Sequence, residues 1–139
     1  MPAIVQDLVY ETSKKNYDLF CDEVKYWLHK FNLLNFETFI RHEDLEDRAM
    51  ITFNGEDGMA VIAFSTIWLN IEPTDLQIAK TAFHEVMELL LGNMTWGLLD
   101  QNKSESHVNA KIHSVIRTFE NTIFKEDWAN RVKPKKKRK

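Results

Sequence analysis

At 139 residues, with 44% hydrophobic and 12% aromatic content, the chain holds enough apolar material for one domain with its own core and is too short for two comfortable ones. A single cysteine, Cys21, excludes an intramolecular disulfide and any multi-thiolate metal cage, and points to a reducing, cytoplasmic setting. The formal net charge of −3 is unevenly placed: residues 131–139, RVKPKKKRK, hold 7 of the 18 Lys and Arg and no acid, which leaves residues 1–130 at −10.

The N-terminal MPAIVQDLVYETSKK lacks the basic-then-apolar order of a signal peptide. No stretch nears the roughly 18 apolar residues of a membrane span. Thr12 and Ser13 can cap a helix over about 14–31, with Tyr17, Phe20, Val24, Leu28 and Phe31 spaced by three and four. Aromatic and β-branched runs then predict strands near 36–42, 49–54 and 59–64, the last two joined by the turn GEDG, and a fourth at 66–71, TIWLNI, stopped by Pro73. Thr74 and Gln77 form a capping box for a helix that Gly92 should end. After a loop containing Gly97 and Asn102, Ser104 can cap a last helix over about 105–127, with Val108, Ile112, Val115, Phe119 and Ile123 on one face.

The expected fold is therefore α+β: an N-terminal helix, a three- to four-stranded mixed or antiparallel sheet, a second helix covering one sheet face, and a long C-terminal helix. Residues 1–130 make the single domain, and 131–139 read as a disordered basic tail with nothing apolar to bury.

The second helix carries the chemistry. In TAFHEVMELLLG, residues 81–92, His84 and Glu88 lie one turn apart on one helix face, and Glu85 is about 100° round from His84. The stretch differs by one residue from H-E-x-x-H, in which two histidines hold zinc and the intervening glutamate is the base. Phe83, Val86, Met87, Leu89, Leu90 and Leu91 make the helix apolar on most sides, so the three polar residues form either an exposed stripe or a site. On the last helix His113 and Glu120, seven residues apart, share a face and can supply a further ligand. His29 and His42 have no ligand partner at useful spacing.

The stretch WLNIEPTDLQIAKTAFHEVMELLLG, with the downstream HSVIRTFEN, resembles the core of the zincin-like metallopeptidase fold, and in particular small phage-encoded metallopeptidase-like proteins carrying H-E-x-x-E. The resemblance covers about residues 68–124. It implies a mixed sheet on two or three helices, a divalent metal between the motif helix and the last helix, and a groove along TIWLNI where an extended peptide substrate could add as a strand. Zinc accepts two imidazoles and one carboxylate with a fourth position open. His84, Glu88 and His113 would be the ligands, Glu120 an alternative ligand or the partner that orients a histidine, and Glu85 the general base of a zinc-dependent peptidase.

Two other readings come from the charge. An acidic body could act without catalysis, as an inhibitor that occupies a nucleic-acid-binding partner. The basic tail could itself contact nucleic acid, and PKKKRK resembles a nuclear-import signal, which would place the chain in the nucleus rather than in the cytoplasm of a cell or phage host.

Overall fold

The computed structural model describes residues 6–54, 57–99 and 105–133. In chain order the elements are β1 (Val9–Glu11), α1 (Lys14–Lys30), β2 (Glu37–Glu43), β3 (Ala49–Asn54), β4 (Met59–Ser65), β5 (Ile67–Leu69), α2 (Asp75–Leu99), α3 (Glu105–Phe119), a π-helical turn (Glu120–Phe124) and α4 (Lys125–Arg131).

Helix α1 begins where Ser13 is extended: its hydroxyl accepts the Asn16 amide at 3.1 Å, and the Asn16 side chain accepts the Ser13 amide at 2.9 Å. This reciprocal cap satisfies donors that the first turn leaves without partners. Past the helix end at Lys30, Asn32 takes a φ of 55°, and the Leu33 amide reaches back to the Leu28 carbonyl at 2.8 Å. Asparagine takes that left-handed conformation more readily than most residues, and the back-bond satisfies a terminal carbonyl. Between the caps Phe20, Glu23, Val24, Trp27 and Leu28 recur at three and four and are buried. They pack largely on α2, where Ala79 and Ala82 are small enough to let the two helices close.

The main sheet has the order β2-β4-β3, with β4 parallel to β2 and antiparallel to β3. Register puts Ile40, Ile62 and Ile51 in one row and His42, Phe64 and Ala49 in the next. Period-two alternation turns both rows to the helices, and β2 and β3 leave their other face wetter. The α+β class is as expected, but the fourth strand is not part of this sheet. Ile67–Leu69 instead pairs antiparallel with Val9–Glu11, placing buried Trp68 opposite Tyr10. The chain is turned out of line at Ser65, whose hydroxyl donates to the Ile67 carbonyl at 2.7 Å and accepts the Leu45 amide at 3.3 Å. The groove expected along TIWLNI is accordingly not an edge of the main sheet. The edge strand against α2 is β3.

Helix α2 also departs from expectation, running through Gly92 and Gly97 to Leu99. Gly92 is needed for clearance, since a Cβ there would lie 2.5 Å from Cζ of Phe53 on β3. At its start the Thr74 hydroxyl accepts the Gln77 amide at 3.2 Å, while the Thr74 amide goes to the Glu72 carbonyl at 2.8 Å, so one half of the expected box is present. The last helix continues to Arg131, beyond the expected end at 127, and widens to π-helical geometry over 120–124.

Arg131, assigned by composition to the tail, belongs to the folded body. Its guanidinium donates to both oxygens of buried Glu23, at 2.8 and 3.0 Å, and to Asp127 at 2.6 Å, and lies 4.0 Å from the centre of the Tyr26 ring. The charge run forecast only that lysines and arginines avoid burial; it carried no information about an acid waiting on α1. Residues 134–139, the possible Ser104 cap and residues 55 and 56 of the GEDG turn lie outside the described residues. Among the described residues no helix is long and apolar enough to cross a membrane.

Candidate metal centre

Along α2, Gln77, Lys80, Thr81, His84, Glu85 and Glu88 repeat at three and four and so share one face. The rest of the helix is committed to the core through Ile78, Ala79, Ala82, Phe83, Val86, Met87 and Leu89. The polar face is not a solvated stripe. It lines a cavity of about 730 Å³ that is closed on other sides by residues 47–51, at and before β3, and by His113, Arg117 and Glu120 from the last helix.

Inside the cavity two nitrogens converge on one carboxylate oxygen. Glu88 Oε1 lies 3.6 Å from His84 Nε2 and 3.4 Å from His113 Nε2, and the two imidazole rings stack with centroids 5.4 Å apart. One ligand atom from each of His84, Glu88 and His113 falls within 4.8 Å of the other two. A tetrahedral zinc with ligands about 2.0–2.2 Å away spaces those ligands by roughly 3.3–3.6 Å. The two contacts to Glu88 already match that spacing. The ligand atoms of the two histidines lie within 4.8 Å of each other, wider than that spacing.

Glu120 meets His84 on its other nitrogen, with Oε2 3.8 Å from Nδ1. At that separation, beyond hydrogen-bond reach, the carboxylate faces the ring edge opposite the one turned to Glu88, the side from which a carboxylate orienting a ligand histidine would act. Burial works against charge on His84, but Glu120 and Glu88 outweigh it and hold the imidazole up at about 10. Burial likewise pushes Glu88 up, yet the close approach of His84 and Glu85, and the charges of His84 and His113, bring its carboxyl below the usual range.

Glu85 is 5% exposed, and its Oε2 has no hydrogen-bond partner. Desolvation, then the neighbouring Glu88 charge, pushes its carboxyl up to about 9. A buried carboxyl oxygen without a partner is costly unless something else occupies the space before it. The donor set of two imidazoles and one carboxylate, with this orphaned oxygen alongside, fits a divalent cation of borderline softness.

His29 is exposed on α1, and His42 is engaged elsewhere. The Thr12 hydroxyl donates to the Ser65 carbonyl at 2.7 Å, so at 2.8 Å it accepts from His42 Nε2, whose ring stacks on Tyr17. The sequence reading did not place four charged cavity residues, Asp47, Arg48, Lys80 and Arg117, at the site. Lys80 and Arg117 could have been found, because each lies four residues from a candidate ligand, His84 and His113, on the same helix face. Asp47 and Arg48 sit before a strand, where no periodicity marks them. Comparison of the chain with protein-family models, with curated proteins and with solved structures yields no match.

Proposed function

We propose that this chain binds one divalent cation, zinc by its donor set, through His84, Glu88 and His113, and that it is a metal-dependent hydrolase acting on a peptide-like substrate. The reading is that of a minimal zincin-like arrangement, with β3 rather than TIWLNI beside the cavity. The observation that carries it is the convergence of two histidine nitrogens on Glu88 Oε1 at 3.4 and 3.6 Å. When bound, a dication supplies electrophilic polarisation of a carbonyl and acidifies water near it.

The chain's own residues have separate tasks. Glu120 holds the His84 ring so that Nε2 faces the cavity, and Glu88 spaces the two imidazoles. Glu85, on the cavity wall with an unpartnered oxygen, is positioned to take a proton from water as the water adds across the scissile bond. The same carboxyl then returns that proton to the leaving amine. The apolar body of α2 behind it keeps Glu85 dry and holds its carboxyl protonated at neutral pH; a dication beside it would favour the ionised form and bring it into the range in which it can accept a proton.

Elemental analysis and zinc titration of the purified full chain test the reading. One zinc per chain is expected for wild type and for Glu85→Gln, and none for His84→Ala. Hydrolysis of a peptide library should be lost in Glu85→Gln with the metal retained, which separates base from ligand. Absence of stoichiometric metal in the wild type under saturating zinc overturns the proposal.

A further inference from the structure

The cavity has a second property that a metal site does not require. Residues 1–130 carry 11 lysines and arginines in all, and three of them, Arg48, Lys80 and Arg117, line this one cavity. Lys80 is half-buried one helical turn before His84, and Arg117 follows His113 by one turn on the facing helix. Arg48 stands just ahead of β3, with its guanidinium 5.7 Å from the Trp68 ring. Among the described residues none of the three makes a salt bridge, whereas Lys14, Lys30 and Arg131 each do.

Four carboxyls, of Asp47, Glu85, Glu88 and Glu120, line the same cavity. With a dication in place, the three cations and the ion against four carboxyls leave it formally at +1, inside a body of −10. A neutral peptide entering there would strip water from the cations and give nothing back, which is costly for an ammonium that is already half-buried. An oxyanion gives each cation a charge-assisted partner, and the planar guanidinium fork suits two oxygens at once.

Resting on the metal reading above, we infer that the cavity selects a substrate bearing an oxyanionic group, a carboxylate or a phosphate, clamped by Lys80 and Arg117 with Arg48 at the rim, beside the His84–Glu88–His113 cluster. A terminal carboxylate of a short peptide and a phosphate group share this chemistry.

The test titrates the zinc-loaded full chain with three probes, inorganic phosphate, N-acetyl-dialanine as the free acid, and the same dipeptide as its amide, following binding by calorimetry and amide NMR shifts. Binding of phosphate or of the free acid, with the amide at least tenfold weaker, is expected, and whichever anion wins names the source. In the double variant Lys80→Gln, Arg117→Gln the anion should bind about tenfold or more weakly at unchanged zinc stoichiometry. Equal affinity for acid and amide, or undiminished anion binding in the double variant, overturns the inference, the latter because the anion would then be held by the metal alone. If zinc binds one to one and no anion binds, this inference fails by itself. If zinc does not bind, the metal reading fails and takes this inference with it.

Discussion

Replacing Arg131 by alanine should destabilise the fold more than its place near the end of the described chain suggests. The Glu23 side chain is 6% exposed and receives two hydrogen bonds from this guanidinium, at 2.8 and 3.0 Å. Removing one member of a buried pair leaves the other charge desolvated and alone, a loss of about 3–5 kcal/mol. The Arg131 side chain is 28% exposed, so water can reach part of the vacated space and the lower end applies, about 3 kcal/mol. With a urea slope of about 1.5 kcal/mol per molar for a chain of this size, the midpoint should fall by roughly 2 M. The assay is equilibrium urea unfolding at pH 7, monitored by far-UV circular dichroism and by tryptophan fluorescence. Replacing both partners, Glu23→Leu with Arg131→Leu, should recover most of the loss, because no unpaired charge then remains. A shift under about 0.5 M for Arg131→Ala, or a double variant less stable than the single, would refute the claim that this pair docks α4 on α1.

Three further outcomes are expected. Gly92→Ala should lower stability by about 1 kcal/mol in urea unfolding, since overpacking against Phe53 costs about 1–3 and helix propensity returns at most about 1; Phe53→Leu in the same chain should restore it. Burial pushes the Asp127 carboxyl up, but the Tyr26 hydroxyl, Arg131 and Lys30 bring it below the usual carboxylate range. Its contribution is therefore present above the unfolded value of about 3.9 and lost as pH falls through the lower folded value, so the urea-midpoint gap between wild type and Asp127→Asn should be full at pH 7 and shrink below about pH 4. Glu120→Gln should keep zinc stoichiometric but weaken binding about 10–100-fold in a chelator competition, the loss seen when a residue orienting a ligand is changed.

Local signals carried most of the fold. The spacing of Tyr17, Phe20, Val24 and Leu28 and the capping residues Thr12 and Ser13 located α1 to within a residue, and the strand-like runs AMITFN and MAVIAF about a glycine turn located the hairpin. Pairing beyond the hairpin was not legible, because TIWLNI has the composition of a strand whatever its neighbour, and its partner, Val9–Glu11, is too short to show a period. Gly92 misled for a related reason. Glycine marks a helix end when it supplies a left-handed residue, but here it makes room for the Phe53 ring, and that requirement exists only in the folded chain. At the cavity, the four-residue spacing of His84 and Glu88 placed them together from sequence alone, and His113 was reached by reasoning about a facing helix. The cations were invisible as a group, since Arg48, Lys80 and Arg117 come from three different elements or loops and meet only across the cavity.

The π-helical turn over Glu120–Phe124 makes the C-terminal rod a two-sided part. A turn of this kind is geometrically an inserted residue: its wider winding absorbs about 100°, so the residues after it keep the facing they would have in an α-helix one residue shorter. Upstream of the turn His113 faces α2; downstream, Asp127 and Arg131 face α1. Deleting a single residue between 121 and 123 should let the rod relax to an unbroken α-helix with both faces still in phase, whereas forcing α-helical winding on the segment at its full length would turn one face by about 100° against the other. Either the anchor would stay and the His113 side would rotate away from Glu88, or the cavity would stay and Glu23 would lose its partner. The widened turn thus acts as a keyed coupling, through which the docking of the chain's end sets the angle at which His113 is presented to the cavity.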